Sequence, residues 1–301
     1  MEFTHAVDDF LMHLEVEKNY STNTLRGYAY DLKCFEDFLH HHDRSTALNE
    51  INPSTVRRYI QDQVLNFGIK PRTMQRRISS LKSFCQFSLK ENYINLDFTA
   101  GIQSPKADKN LPRYMRLDEL KQLFAYLEQE NGPYALRNEL LFKCLATSGM
   151  RRQELVDLKW EHIDLNNETI LIRGKGNKER LLPLHQMVIP LFHQYRKQLL
   201  AHQLHDSQPV FINRYGNQMN PRGLHVMFKR ILEKAGLPPH RFSLHHLRHT
   251  FATLLLQDDE NNVDVRTLQE LLGHESLATT SMYTHIDFKQ KKKAISSFMM
   301  S

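Results

Sequence analysis

Residues 168–184, "ETILIRGKGNKERLLPL", contain two runs rich in isoleucine and leucine on either side of a turn rich in glycine. This pattern is typical of two antiparallel strands joined by a hairpin, with a predicted tip at residues 174–178 that carries Lys175. Further along the chain, the segments "SLHHLRHTFATLLLQ" and "VRTLQELLGH" have helical spacing, and we expect the second helix to end at Gly273. Residues 209–217, "PVFINRYGN", are a further strand candidate. The fold class is therefore predicted to be mainly α, with a small antiparallel β-sheet in the second domain.

The first 100 residues show the periodicity of amphipathic helices. Apolar residues recur at intervals of three and four, as in Phe3, Val7, Phe10 and Leu14, and again in Leu25, Tyr28, Leu32, Phe35 and Leu39. Asn52 before Pro53 predicts the start of a third helix. In a fourth helix, Ile78, Leu81 and Cys85 are expected to face inward. Residues 104–115 combine two prolines with basic residues and lack an apolar period, so we predict domains at 1–103 and 116–301 joined by a linker at 104–115.

The distribution of charge indicates an acidic partner. The chain carries a net charge of +6, and the excess lies in residues 111–301, with 26 basic against 20 acidic residues, while residues 1–110 contain 14 of each. Within the balanced part, residues 63–90 carry basic side chains and no acid. The predicted DNA-binding residues on that helix are Arg72, Arg76, Arg77 and Lys82. No apolar run reaches the roughly 20 residues that a membrane helix needs, so we expect a cytoplasmic protein without a membrane partner.

Six residues of the second part form a set that is suited to phosphate chemistry: Arg151, Lys175, His245, Arg248, His274 and Tyr283. Each of them has an ordinary structural explanation when taken alone, as a surface charge or a helix cap. Together, two permanently charged arginine forks suit the oxygens of a phosphodiester, and histidine or lysine suits proton transfer. A tyrosine becomes a competent nucleophile beside such positive charge. This scheme requires no metal and no cofactor.

These residues resemble the active-site set of the tyrosine recombinases, the integrase-like family of site-specific DNA recombinases, and most closely its compact bacterial Xer type. "ATSGMRRQELVDLKWEHID" resembles the first-arginine box with Arg151 and the supporting acid Glu154, and "IRGKGNKERLLPL" resembles the hairpin that carries the catalytic lysine. "SLHHLRHTFAT" matches the His-x-x-Arg box, and "LLGHESLATTSMYTH" matches the final box with the histidine and the tyrosine. The first 100 residues resemble the helical, SAM-like core-binding domain of the family, and the remainder resembles its catalytic domain.

The resemblance implies a mechanism and a set of partners. Tyr283 would attack a scissile phosphate held by Arg151 and Arg248, forming a 3'-phosphotyrosyl link, and Lys175 would protonate the leaving 5'-oxygen. His245 would transfer protons around the tyrosine, and His274 would hold the phosphate. The substrate would be double-stranded DNA with a short inverted-repeat core site, clamped between the two domains. Four protomers, or a pairing with a second recombinase, would exchange strands through a Holliday junction at the nucleoid, in chromosome or plasmid dimer resolution or in the movement of a mobile element.

Three alternatives stay open at the level of sequence. A type IB-like topoisomerase would use the same phosphotyrosine, although that group more often has lysine at the position of His245. A DNA-binding protein without catalytic activity could share the scaffold, although every catalytic position is filled. A metal site at His245 and His249, which are spaced four residues apart, lacks an accompanying acid or third ligand in the usual pattern.

Overall fold

The computed structural model describes residues 1–106, 113–174, 179–200, 205–257 and 265–273, together with Ile295. The chain divides into two compact units, Met1–Asn110 and Leu111–Ser301. The boundary between the units falls inside residues 104–115, the predicted linker. The assignment of residues 1–103 and 116–301 to two functional domains stays a prediction, because a compact unit does not by itself show what that unit does.

The first unit is built on four helices: α1 (Phe3–Val16), α2 (Thr22–His41), α3 (Pro53–Leu65) and α4 (Pro71–Lys90). Aromatic rings fill the space between them, and the ring centroid of Phe3 lies 5.5 Å from that of Phe35 and 5.1 Å from that of Phe84. The predicted start of α3 is confirmed, because the Asn52 side chain accepts the backbone N–H groups of Ser54 and Thr55 at 3.0 and 3.2 Å. The apolar stripes of α1 and α2 face this core.

The second unit combines seven helices with a sheet among its described residues. They are α5 (Leu117–Gln129), α6 (Ala135–Ser148), α7 (Arg152–Val156), α8 (Ile189–Leu200), α9 (Pro221–Lys234), α10 (Leu244–Gln257) and α11 (Val265–Leu272), with β1 (Ile163–Asp164), β2 (Thr169–Arg173) and β3 (Glu179–Pro183). Helix α6 lies at the centre, and its residues from Leu140 to Ser148 are all buried. A helix buried on every side marks the middle of a core.

The sheet is antiparallel in the order β1-β2-β3, and Ile172 pairs with Arg180 across β2 and β3. The predicted fold class is confirmed: mainly helical, with a small antiparallel sheet in the second unit. The strand predicted at 209–217 is wrong as an extended element, because the described pairing there consists of single bridges at Pro209 and Ile212. Asn213 is the physical reason, since its side chain accepts the N–H groups of Tyr215 and Asn217 and folds the segment into a turn.

Candidate active site

The turn between α6 and α7 presents Arg151. Helix α6 stops at Gly149, which has φ +62° and therefore the left-handed conformation that glycine tolerates best. Arg151 follows as the N-terminal cap of α7, and its backbone N–H donates to the Glu154 carboxylate at 2.7 Å. Its side chain also donates to Glu154 at 2.8 Å, yet 42% of that side chain is exposed. The local fold thus fixes the backbone of Arg151 and leaves its guanidinium group accessible.

Glu154 is buried and shared between two arginines. Its Oε1 accepts from Nη1 of Arg151 at 2.8 Å and from Nη1 of Arg180 at 3.0 Å, while its Oε2 accepts from Nη2 of Arg180 at 2.7 Å. Burial alone would raise the pKa of this carboxyl, but the hydrogen bonds and charge of Arg180, followed by the hydrogen bonds of Arg151, outweigh it and hold the pKa at about 2. Glu154 is therefore ionised at neutral pH and orients both guanidinium groups.

Arg248 lies on α10 with 5% of its surface exposed. Its Nη1 donates to the carbonyl of Gly149 at 2.7 Å, and its Nη2 donates to the carbonyl of Leu272 at 2.8 Å. Burial, and next the charge of Arg151, lower the pKa of Arg248 to about 10. The group still carries its charge at neutral pH. Arg248 therefore links two parts of the site: the turn between α6 and α7, which positions Arg151, and the end of α11.

Three arginines converge on the last carbonyls of α11. Arg180 donates from Nε to the carbonyl of Leu271 at 3.1 Å, Arg248 donates to that of Leu272, and Nη2 of Arg151 donates to that of Gly273 at 3.0 Å. These carbonyls form the negative end of the helix dipole and suit cationic partners. Gly273 has φ +62°, which confirms the predicted end of the helix. The structure thereby gathers Arg151, Glu154 and Arg248 in one place.

Three histidines stand on the first turns of α10 near these arginines. His245 is exposed, and its ring packs edge to face on that of His249 with the centroids 4.4 Å apart. Desolvation, and then the charges of His249 and Arg248, lower the pKa of His245. His246 accepts the N–H of Ser243 at Nδ1 over 3.0 Å and so caps the helix. Among the described residues, no three His, Cys, Asp or Glu side chains are grouped as metal ligands.

Lys175, His274 and Tyr283 lie outside the described residues. The chain reaches the first two directly after described neighbours: Gly174 follows β2, and Gly273 ends α11. Of residues 274–301, the structure describes Ile295, whose side chain is buried in the core of the second unit.

Arg180 was not singled out from the sequence. Its signal is the alternation of β3: Arg180 and Leu182 share one face of the strand, and Leu182 is completely buried, whereas Leu181 on the other face is 44% exposed. An arginine on the core-facing side of a strand needs a buried acceptor, and here Glu154 provides it.

The predicted DNA-binding residues of α4 divide into two groups. Arg72, Arg76 and Lys82 are exposed on one face. Arg76 is also paired at 2.5 Å with Asp31, which is 1% exposed. Arg77 corrects the prediction, because it is 5% exposed and its guanidinium donates to Gln63 inside the first unit. Its donor is therefore directed at the interior of the first unit, away from the exposed face of α4.

The exposed face of α4 borders an open cleft of about 460 Å³ in the first unit. It is lined by Lys18, which follows α1, and by Lys82 and Lys90 of α4, together with the rings of Tyr20 and Tyr28. Basic and aromatic groups in one cleft suit a polyanion that also offers flat or apolar surfaces.

No helix in the described part of the chain combines the length and apolar character that crossing a bilayer requires.

Comparison with known proteins places these features in a family. Residues 113–290 match the phage integrase family, and residues 7–92 match the phage integrase N-terminal SAM-like domain. The tyrosine recombinase XerC of Oceanobacillus iheyensis is 35% identical, over 93% of this chain and 91% of its own. The tyrosine recombinase XerD of Staphylococcus epidermidis is 33% identical, over 97% of each chain.

Solved structures agree with the fold. The XerH site-specific recombinase bound to its difH substrate in a pre-cleavage complex has a TM-score of 0.71 at 25% identity, covering 96% of this chain and 82% of that one. The Tn1549 transposon integrase in complex with transposon right end DNA has a TM-score of 0.74 at 18% identity, covering 97% and 98%. The family match over most of the second unit and the Xer relatives along nearly the whole length show that the chain belongs to the phage integrase family of tyrosine recombinases.

Proposed function

We propose that the chain is a site-specific recombinase that cuts and rejoins double-stranded DNA through a 3'-phosphotyrosyl link to Tyr283. The observation that carries the proposal is the pair Arg151 and Arg248 at the end of α11. Both are fixed by backbone carbonyls, and 42% of the Arg151 side chain is accessible from solvent. Two oriented guanidinium groups suit the two non-bridging oxygens of a phosphodiester and stabilise the additional negative charge of its pentacoordinate transition state.

In the proposed cleavage step, the phenol oxygen of Tyr283 forms a bond to phosphorus while the bond from phosphorus to the 5'-oxygen breaks. His245, whose lowered pKa keeps it neutral at physiological pH, accepts the phenol proton. Lys175 donates a proton to the leaving 5'-oxygen, and His274 holds the phosphate. Glu154 supports the site by orienting Arg151. In rejoining, a 5'-hydroxyl attacks the phosphotyrosine and the tyrosine regains its proton.

This cycle balances without ATP or a metal ion. One phosphodiester bond becomes one phosphotyrosyl bond, so the energy of the broken bond is kept in the protein link until the strand is rejoined. The charges of Arg151, Arg248 and Lys175 take the part that a metal ion plays in other phosphoryl-transfer sites. The enzyme would therefore work in the presence of a chelator.

The two units would divide the work of binding. Residues 1–103 would hold the core site through the exposed face of α4, with Arg72, Arg76 and Lys82 on phosphates, and residues 116–301 would carry the chemistry. The linker 104–115 would allow both units to engage one duplex. Removing one phosphate contact lowers affinity for every sequence and makes binding less dependent on salt.

The active assembly would be four protomers on two short inverted-repeat sites, or a pairing with a second recombinase, exchanging strands through a Holliday junction. The relatives named XerC and XerD and the solved lambda integrase tetramer on a Holliday junction support this arrangement. An enzyme with this substrate would act at the nucleoid. Sequencing the DNA fragments that the protein binds in cells would identify the core site, on a chromosome, a plasmid or a mobile element.

The decisive experiment uses a suicide DNA substrate that is nicked beside the cleavage point, so that a covalent adduct accumulates. We expect the wild type to form the adduct and Tyr283→Phe to bind the DNA without forming it. Tyr215→Phe is the matched control, since Tyr215 is an exposed tyrosine of the same unit and should behave as wild type. An adduct that persists in Tyr283→Phe would overturn the assignment of the nucleophile.

The assignment of the acid has its own test. Lys175→Ala should bind DNA and cleave it slowly, and a substrate with a 5'-bridging sulfur should restore cleavage, because a thiolate leaves without protonation. A Lys175→Ala enzyme that is equally slow on both substrates would remove Lys175 from this role.

A further inference from the structure

Arg180 joins three parts of the second unit. It is the second residue of β3, and only 12% of its side chain is exposed. Its two Nη atoms donate to the two oxygens of Glu154 at 3.0 and 2.7 Å, and its Nε donates to the carbonyl of Leu271 at 3.1 Å. One side chain therefore connects the hairpin to α7 and to the end of α11.

The donors of Arg180 point into the protein. Each of its three nitrogen atoms makes a hydrogen bond to Glu154 or Leu271, and its charge is directed at a carboxylate that is itself 5% exposed. Arg151 differs, because its side chain is 42% exposed. The planar fork of arginine matches a carboxylate in two parallel bonds, which fixes orientation as well as distance. Arg180 is thus placed to orient other groups, while Arg151 is placed to contact a substrate.

The hairpin register places this anchor close to the tip. Arg180 pairs with Ile172, and Lys175 lies three positions after Ile172 in the chain. Three residues span at most about 10 Å. A movement of β3 relative to Glu154 would therefore also shift the nearby segment that carries Lys175.

The glycine at the end of α11 makes room for the same side chain. A Cβ atom on Gly273 would lie 3.1 Å from Nη1 and 3.3 Å from Cδ of Arg180. The guanidinium is therefore packed closely against the backbone that accepts from Arg151. Close packing on one side and two parallel bonds on the other leave Arg180 little freedom.

We propose that Arg180 is a positioning residue that locks the β2–β3 hairpin onto Glu154 and the end of α11, and so sets the place of Lys175 relative to the arginines that hold the phosphate. The inference rests on the proposed function, in which Lys175 is the acid. It predicts that loss of Arg180 damages the protonation of the leaving group and leaves DNA binding intact.

The test compares Arg180→Gln with Arg173→Gln. Arg173 is the matched control, because it makes the other arginine–glutamate pair of the hairpin, with Glu179 at 2.8 Å, and is 52% exposed. Single-turnover cleavage is measured on the ordinary suicide substrate and on its 5'-bridging sulfur counterpart. We expect Arg180→Gln to cleave the ordinary substrate on the order of 100-fold more slowly, as a misplacement of about 1 Å does. On the sulfur substrate the defect should shrink to about tenfold or less.

Arg173→Gln should match the wild type on both substrates, and affinity for DNA and its salt dependence should stay unchanged in both variants. An equal defect of Arg180→Gln on the two substrates, or wild-type rates on both, would overturn the inference. If Arg180→Gln does not fold, Arg180→Lys takes its place, since it keeps the charge and loses the fork. Cleavage by the wild type and by Tyr283→Phe is measured in parallel to separate the two proposals. If the wild type shows no cleavage that depends on Tyr283, the proposed function fails. If it does show such cleavage, a negative result concerns only the role of Arg180.

Discussion

Replacing Gly149 by alanine should destabilise the second unit by an amount that its surroundings define. Gly149 has φ +62°, a conformation that costs an L-residue about 1–2 kcal/mol. The added Cβ would overlap Cδ1 of Phe251 and lie 2.8 Å from Cδ2 of Leu272, and overpacking a core typically costs about 1–3 kcal/mol. The sum is about 2–5 kcal/mol, or a fall in Tm of about 4–20 °C for a unit of this size.

Two other glycines separate these contributions. Gly216 has φ +79° and nothing within 4 Å of an added Cβ, so Gly216→Ala should show the backbone cost alone, about 1–2 kcal/mol. Gly223 lies within α9, again with nothing within 4 Å, and Gly223→Ala should be neutral or stabilise by up to about 1 kcal/mol. From the most to the least stable protein, the expected order is therefore Gly223→Ala, wild type, Gly216→Ala and Gly149→Ala.

The assay is thermal unfolding followed by the fluorescence of Trp160. This residue is the single tryptophan of the chain, is 3% exposed and belongs to the core of the second unit, so its signal reports that unit. Gly149→Ala should also cleave DNA slowly at temperatures where it is folded, because the Gly149 carbonyl accepts from Arg248. A Gly149→Ala variant as stable as Gly216→Ala would refute the close packing against Phe251 and Leu272.

Four further predictions concern charged groups. Glu154→Gln should be less stable than the wild type above pH about 4.5, and this difference should fade toward pH 2. The reason is that a folded pKa of about 2, against the ordinary 4.5, corresponds to about 3 kcal/mol of stability. Urea unfolding across this pH range checks the prediction, and a stability difference that does not vary with pH contradicts it. His245 should titrate below its ordinary pKa of 6.5 in the DNA-free protein, as followed by NMR, because desolvation and neighbouring positive charge disfavour its protonated form, and a titration above 6.5 would disagree. Arg72→Gln should reduce the slope of DNA affinity against salt by about 1. Arg77→Gln should leave that slope unchanged and cost about 1–3 kcal/mol of stability, since it leaves buried partners of the first unit unpaired, and a reversed pattern would show that Arg77 reaches the DNA.

The sequence predicts the elements well where one local period dominates. The stripes of α1 and α2, the cap at Asn52 and the stop at Gly273 each depend on a few adjacent residues, and the structure contains them. The hairpin is also predicted, because its turn residues and the two apolar runs beside them are contiguous. Such signals are local in the chain, so no knowledge of the packing is needed to interpret them.

The misjudged residues depend on contacts between distant parts of the chain. Arg77 lies four residues before Leu81 and seven before Phe84, so the helical period already places it on the buried stripe of α4. Its acceptor Gln63 belongs to another helix, and only the tertiary structure brings the two together. Arg180 follows the same logic, since Glu154 precedes it by 26 residues. A buried arginine is understood only together with its acceptor.

The anchoring of α11 by carbonyl groups has a consequence for how the chain tolerates substitution. Arg151, Arg180 and Arg248 bind main-chain oxygens of residues 271–273, which every amino acid supplies. Exchanging Leu271 for another apolar side chain would leave these bonds in place, whereas exchanging any of the three arginines would remove one. In a saturation library, positions 271 and 272 should therefore accept several apolar side chains, whereas Gly273, with φ +62°, and the three arginines should accept very few substitutions.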